Sequence, residues 1–226
     1  MPDPSTPGPE ARLNNPLGVI RIDPDHPAPQ TIHRAAALIQ NQGVVVFPTQ
    51  CLYGLAADAR DSSAIQKIFH IKHRPETNPL LILIHSPKDL EELVTHIPDA
   101  AQRLMQAFWP GGLTLIFEAA PRVSDLLTAG TGKIGVRIPS HPVARALVKA
   151  AGRPITGTSA NRSGAPGCSR IKNLPQDLIR AADLVLDAGP LRGGTGSTIL
   201  DVTCDPPRII RQGRIPFDSI RQVLAS

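Results

Sequence analysis

Three groups of residues in this chain have the types and spacing to hold an anion-rich ligand. Lys72 and Arg74 stand two apart in I-K-H-R-P-E-T-N-P-L, and Pro75 forces the backbone out of helix just after them. From such an irregular segment both cations can face one cavity, or they can sit at a helix C-terminus against its dipole. Arg137 is a lone charge in the apolar run I-G-V-R-I, so it lies at an open edge or against an anion. The third group is P-I-T-G-T-S-A-N-R-S-G, residues 154–164. Gly157, Ser159, Ala160, Asn161, Ser163 and Gly164 carry little bulk, so backbone can approach a ligand while hydroxyls and an amide supply directional hydrogen bonds. The same composition also makes an ordinary turn after a strand.

Other motifs fail on their own terms. T-A-G-T-G-K at 128–133 lacks the Ser or Thr after the lysine and the glycine spacing of a phosphate loop. G-G-T-G-S at 193–197 precedes a strand rather than opening a helix. Gly157-Thr158-Ser159-Ala160-Asn161 has Asn where a nucleophile elbow needs its second Gly, and no His or acid is nominated to serve it. His70 and His73 have no third ligand, and Cys51, Cys168 and Cys204 are far apart with no CxxC, so neither zinc nor a disulfide framework is indicated.

The elements that must position these groups are legible from periodicity. Gly18–Ile22 reads as a first strand, and 31–42 as a helix with Ile32, Ala35, Ala36 and Ile39 on one face before Gly43. V-V-V-F at 44–47 is a buried strand whose exit, P-T-Q-C-L-Y-G-L, is expected to be a loop. Asp61 caps a helix to about Lys72 with Ile65, Ile68 and Phe69 inward. A strand at 80–84, a helix opened by Ser86-Pro87-Lys88-Asp89, and a helix at 99–108 stopped by W-P-G-G follow. Strands at 113–117 and 134–138 precede a helix with Val143, Ala146, Leu147 and Ala150 inward, closed by Gly152. Residues 155–158 begin as a strand, further strands lie at 184–187, 198–202 and 208–211, and a short helix ends the chain. Alternation is imperfect and several strand connections are short. The expected fold is α/β (α+β): a single domain with one twisted, mixed parallel and antiparallel sheet and flanking helices, residues 17–226, after a disordered tail at 1–16.

Composition sets the class. Of the 226 residues 41% are hydrophobic and 19% charged, as in a soluble globular protein, and aromatics at 3% leave the core to Ile, Leu, Val and Ala. No apolar run approaches the roughly 18 residues of a membrane span, and the N-terminus has no signal-peptide pattern, so a membrane partner is not expected and a reducing cytoplasm is. The net charge of +5 suits a nucleotide, an RNA or simple solubility.

Taken together, P-T-x-x-x-Y-G-L, K-x-R-P-x-x-N-P-L, W-P-G-x-L-T, V-R-x-P-S-H-P, T-S-A-N-x-S-G and I-x-R-x-G, in this order from about Gly43 to Gly213, resemble the YrdC family. Its members are the threonylcarbamoyl-AMP synthases, called TsaC in bacteria. The resemblance implies a basic concave groove and a nucleotidyltransferase reaction in which L-threonine, bicarbonate and ATP give threonylcarbamoyl-AMP and pyrophosphate. It places that product upstream of a TsaD-type threonylcarbamoyl transferase and the t6A modification at position 37 of tRNA, with a tRNA contact as a further expectation. By the same resemblance Lys72 and Arg74 sit on the triphosphate, while Asn78, Ser159, Asn161 and Arg211 complete the ATP side. Arg137 takes the threonine carboxylate, with Gly157, Cys51 and Tyr53 as further threonine contacts. Mg²⁺ accompanies ATP on its phosphates rather than in a protein cage. On this resemblance the extra C-terminal domain of longer members is not expected.

The chain departs from the family pattern at four positions. Cys51 stands for a Thr, Leu83 for a His, and Lys133 and Gly167 for hydroxyl residues that contact ATP elsewhere in the family. I-R-I-D-P-D-H-P near the N-terminus resembles the YciO branch, so a YciO-like paralogue is an alternative. A non-catalytic RNA-binding module is another, disfavoured by the shortage of aromatics for base stacking.

Overall fold

A computed structural model describes residues 18–225, so the expected tail at 1–16 lies outside the described residues. Eleven strands and seven α-helices run in the order β1 Val19–Arg21, α1 Pro29–Gln40, β2 Val45–Pro48, β3 Tyr53–Ala56, α2 Ser62–Lys72, β4 Ile82–Leu83, α3 Asp99–Phe108 and β5 Leu113–Glu118. They continue as α4 Asp125–Thr128, β6 Lys133–Arg137, α5 Pro142–Ala151, β7 Ile155–Thr156, β8 Thr158–Ser159, α6 Gln176–Ala181, β9 Leu184–Asp187, β10 Thr198–Asp201, β11 Arg208–Arg211 and α7 Phe217–Ala225. A 3₁₀ helix at Pro87–Glu92 follows Ser86, whose N–H and that of His85 both donate to Asp89 Oδ2. Among the described residues no helix is long and apolar enough to cross a membrane.

The mixed α/β character is as expected, but the strands sort into two sheets rather than one. Five strands run in the order β1-β9-β2-β3-β8 and six in the order β11-β10-β5-β6-β4-β7. Parallel pairs β1–β9, β2–β9, β5–β10 and β4–β6 lie beside antiparallel β2–β3, β3–β8, β5–β6, β4–β7 and β10–β11. The chain crosses between the sheets at Gly157, with β7 paired to β4 on one side and β8 to β3 on the other. A Cβ on Gly157 would lie 2.6 Å from Leu83 Cγ, so the crossing packs directly on β4.

Two apolar clusters hold the sheets. The inward stripe of α1, Ile32, Ala35, Ala36 and Ile39, packs with α5 on Val45, Phe47, Leu184 and Leu186. The larger cluster joins α2 and α3 to the six-stranded sheet through Ile65, Ile68, Leu104, Leu115, Phe117 and Val136. Asp61 caps α2 by accepting from the Ala64 N–H at 3.0 Å, as the sequence predicts. The stripe of α5 is corrected: Val143, Ala144, Leu147, Val148 and Ala151 are buried, while Ala146 and Ala150 are half-exposed. The P-T-Q-C-L-Y-G-L exit is also corrected, because its second half is strand β3 returning antiparallel to β2.

Candidate active site

A cavity of about 600 Å³ opens where the two sheets meet, and both sheets line it. Its floor is one face of the six-stranded sheet. Because strand side chains alternate, Thr114 and Ile116 of β5, Lys133, Gly135 and Arg137 of β6, and Ile199 and Asp201 of β10 all reach it. The hairpin tip at Thr49–Leu52 and the Thr158–Asn161 segment form the opposing wall. Five cations line the space, Arg74, Lys133, Arg137, Arg211 and Arg214, against the single acid Asp201.

Arg137 decides the character of this cavity. Among the described residues its side chain has no ion pair or hydrogen bond, and its Nε is buried without a partner. Burial, with Arg211 nearby, pushes its pKa down to about 10, which still leaves a cation at neutral pH. Among the described residues no carboxylate pairs with it, and β6 lies inside the six-stranded sheet between β5 and β4, so neither an internal ion pair nor an open edge accounts for the guanidinium, which is free to take an anion.

The other expected site residues divide. Arg74 lines the cavity, where it is held by donating from Nε to Asn78 O (3.2 Å) and from an Nη to Pro79 O (2.7 Å). Arg211 lines it too, anchored on Ser197 O at 2.9 Å, and Cys51, Gly157, Ser159 and Asn161 complete this part of the wall. Lys72 is a correction, because it does not share the cavity with Arg74. It is 1% exposed, and its ammonium donates to Ser159 O, to Asn161 O (2.8 Å) and to Asn161 Oδ1 (3.0 Å). Asn161 Oδ1 also accepts from Ser159 Oγ (2.5 Å), so Lys72 fixes the S-A-N turn from behind. Burial, then the charge of Arg74, pushes the Lys72 pKa down to about 7.

One further expectation is corrected, that for Asn78. The side chain of Asn78 is exposed and outside the cavity lining; its carbonyl serves by holding Arg74. Tyr53 lines the cavity although it is fully buried, and its hydroxyl donates to Gly189 O (2.7 Å) and accepts from the Ala188 N–H (3.0 Å), so that end is committed to the turn after β9. Burial and the neighbouring Asp187 raise its pKa.

Two charged lining groups, Arg214 and Asp201, escaped the sequence reading. Arg214, three residues past Arg211, was visible only as a second cation in I-I-R-Q-G-R-I. Lys133 donates to Asp201 Oδ2 (3.2 Å) and Thr203 Oγ1 (2.5 Å). Burial raises the Asp201 pKa, but hydrogen bonds from Thr203 and Lys133 outweigh it and hold the carboxyl below its usual range. Gly213 explains the end of I-x-R-x-G: a Cβ there would lie 2.3–2.5 Å from Ser197 C, Thr198 N and Gly196 O. Those are backbone atoms that cannot swing aside. Gly213→Ala is therefore expected to cost about 1–3 kcal/mol in urea unfolding, as overpacked sites do.

Residues 37–213 match the model of the Sua5/YciO/YrdC family, which is described as Telomere recombination. That match covers most of the chain. The chain belongs to this family. A Bacillus subtilis relative named threonylcarbamoyl-AMP synthase is 40% identical over 194 residues, covering 85% of this chain and 56% of its own. The chain spans just over half the length of the first such curated relatives. Among solved structures of the family, P. abyssi Sua5 complexed with L-threonine superposes with a TM-score of 0.87 at 36% identity, over 91% of this chain and 60% of that one. E. coli YciO superposes at 0.79 and 29%, over 86% of this chain and 95% of that one.

Proposed function

We propose that the chain is a threonylcarbamoyl-AMP synthase, a nucleotidyltransferase that makes threonylcarbamoyl-AMP and pyrophosphate from L-threonine, bicarbonate and ATP. The observation that carries this reading is the unpartnered guanidinium of Arg137 in a cavity with four further cations. Names borne by Sua5/YciO/YrdC relatives supply the substrate class.

In this reading Arg137 takes the threonine carboxylate in a two-pronged contact, beside Gly157 backbone and the Cys51 side chain. Arg74, Arg211, Ser159 and Asn161 meet the nucleotide. Lys72 acts through the turn it holds, Asn78 through the Arg74 it anchors, and Tyr53 by fixing the wall. The amine of threonine attacks the bicarbonate carbon and water leaves, giving a carbamate, whose oxygen attacks the α-phosphorus as pyrophosphate leaves. Such a step needs alignment and charge neutralisation, which fixed guanidinium groups provide. The ATP phosphates would hold Mg²⁺, which would offset their charge, since Asp201 is already engaged by Lys133 and Thr203. The product passes to a TsaD-type transferase for tRNA t6A37 modification, and a tRNA contact at the basic rim belongs to the same proposal. We assign the reaction to the cytoplasm, whose reducing state suits three free cysteines.

The test is pyrophosphate release from ATP and bicarbonate, run with each amino acid separately and without RNA. Threonine-dependent release is expected. Salt-sensitive tRNA binding with no amino-acid-dependent release identifies an RNA module instead. Loss of both points to a YciO-like paralogue.

A further inference from the structure

Cys51 stands at the tip of the β2–β3 hairpin, in a turn closed by Thr49, whose N–H and Oγ1 both donate to Leu52 O (3.1 and 2.6 Å). The Cys51 carbonyl accepts from the Gly193 N–H at 3.0 Å, so the turn is tied down on a second side. Only 6% of the residue is exposed, and it lines the cavity. Arg214 Nη1 donates to its Sγ at 3.4 Å. A guanidinium in that position stabilises the negative charge that sulfur carries as it attacks an electrophile.

A second feature of the same cavity points to what that electrophile is. Arg137 presents a buried Nε with no partner, in a space that both residues line. A small carboxylate seated on Arg137 therefore sits in the same cavity that Cys51 lines. Cys168 and Cys204 have no such arrangement. Cys168 donates to Asn173 O at 3.2 Å, Cys204 is exposed, and neither lines this cavity.

We propose that Cys51 is a covalent modification site, selective for small electrophiles that carry a carboxylate. In the step with an α-halocarboxylate the thiol proton goes to solvent and Sγ attacks the carbon bearing the halogen. A C–S bond forms, the C–halogen bond breaks, and the halide leaves with the electron pair. The adduct fills the space between Arg137 and the hairpin tip. This site goes beyond the synthase reading and does not require it.

The experiment treats the whole chain with iodoacetate or iodoacetamide and follows each cysteine by peptide mass spectrometry. At an ordinary thiolate the carboxylate is repelled, so iodoacetate is the slower reagent. At Cys51 the order should invert, with an iodoacetate-to-iodoacetamide rate ratio at least about tenfold above that at Cys204, the effect of one charge-assisted contact. Arg137→Met should bring the Cys51 ratio down to that of Cys204. In the unmutated protein, rising acetate should slow iodoacetate at Cys51 and not at Cys204, so the proposal is testable even if the variant fails to fold. It is overturned if Cys51 shows the same reagent order as Cys204, or stays unmodified until the chain is denatured.

Discussion

Arg137→Met is expected to raise the threonine Michaelis constant by about 10- to 150-fold, the range for losing charge-assisted contacts of 1.5–3 kcal/mol, with a much smaller change for ATP. Arg137→Lys should sit at the lower end, because an ammonium keeps the charge but cannot make the two-pronged contact. Neither variant should be destabilised. Removing a buried charge is costly when it strands a partner, and Arg137 has none among the described residues. Burial and the repulsion of Arg211 both act against its charged form, so the methionine variant is expected to match or exceed the parent in thermal unfolding. If the variants unfold while threonine affinity is kept in the surviving protein, the carboxylate binds elsewhere and Arg137 is a structural residue.

Lys72→Met should act differently, through the fold of the turn. It strips the donor from Ser159 O, Asn161 O and Asn161 Oδ1 in a buried place, a loss of about 1–3 kcal/mol for acceptors left unsatisfied. Turnover of ATP should fall at least about tenfold as Ser159 and Asn161 lose their positions. The deciding measurement is denaturant stability with no nucleotide present. A residue whose work is to touch phosphate would leave that stability unchanged, and such a result would overturn the anchoring role. The pH dependence gives an independent check. The ammonium has a folded-state pKa of about 7 against an ordinary 10.5. Between those values the unfolded chain holds a proton that the folded protein has shed, so this group makes stability rise with pH across the window. The methionine variant lacks that rise, and its deficit should widen as the pH is raised from 7 towards 10.

Helix positions and stripes were legible where the pattern is strong and local. Asp61 as a cap, the inward face of α1, and the 99–108 helix all follow from residues within one or two turns of each other. The α5 stripe is ambiguous in sequence because Ala144, Ala146, Ala150 and Ala151 offer no contrast in size or polarity, so only the packing partner chooses among them. The 48–55 exit read as loop because its Pro, Thr and Gln are turn-like, whereas cross-strand pairing of Tyr53–Ala56 with β2 is a longer-range property.

The site divides along the same line. Residue types and order alone determined that this chain carries cations, a small polar turn and the linked motifs of its family. The tertiary structure decided which of those groups face the cavity. Lys72 and Arg74 are two residues apart, yet one turns into the wall and the other lines the space. The acceptors that capture Lys72 lie 87 and 89 residues further along the chain. Arg137 is distinguished by having no partner among the described residues, and no motif encodes an absence. Two sheets rather than one, and the crossing at Gly157, depend likewise on which distant strands pair. Local sequence sets the inventory of groups through periodicity and residue chemistry, because those act between near neighbours. Direction and burial of a side chain are set by whatever the folded chain brings against it, and that is a property of the whole structure.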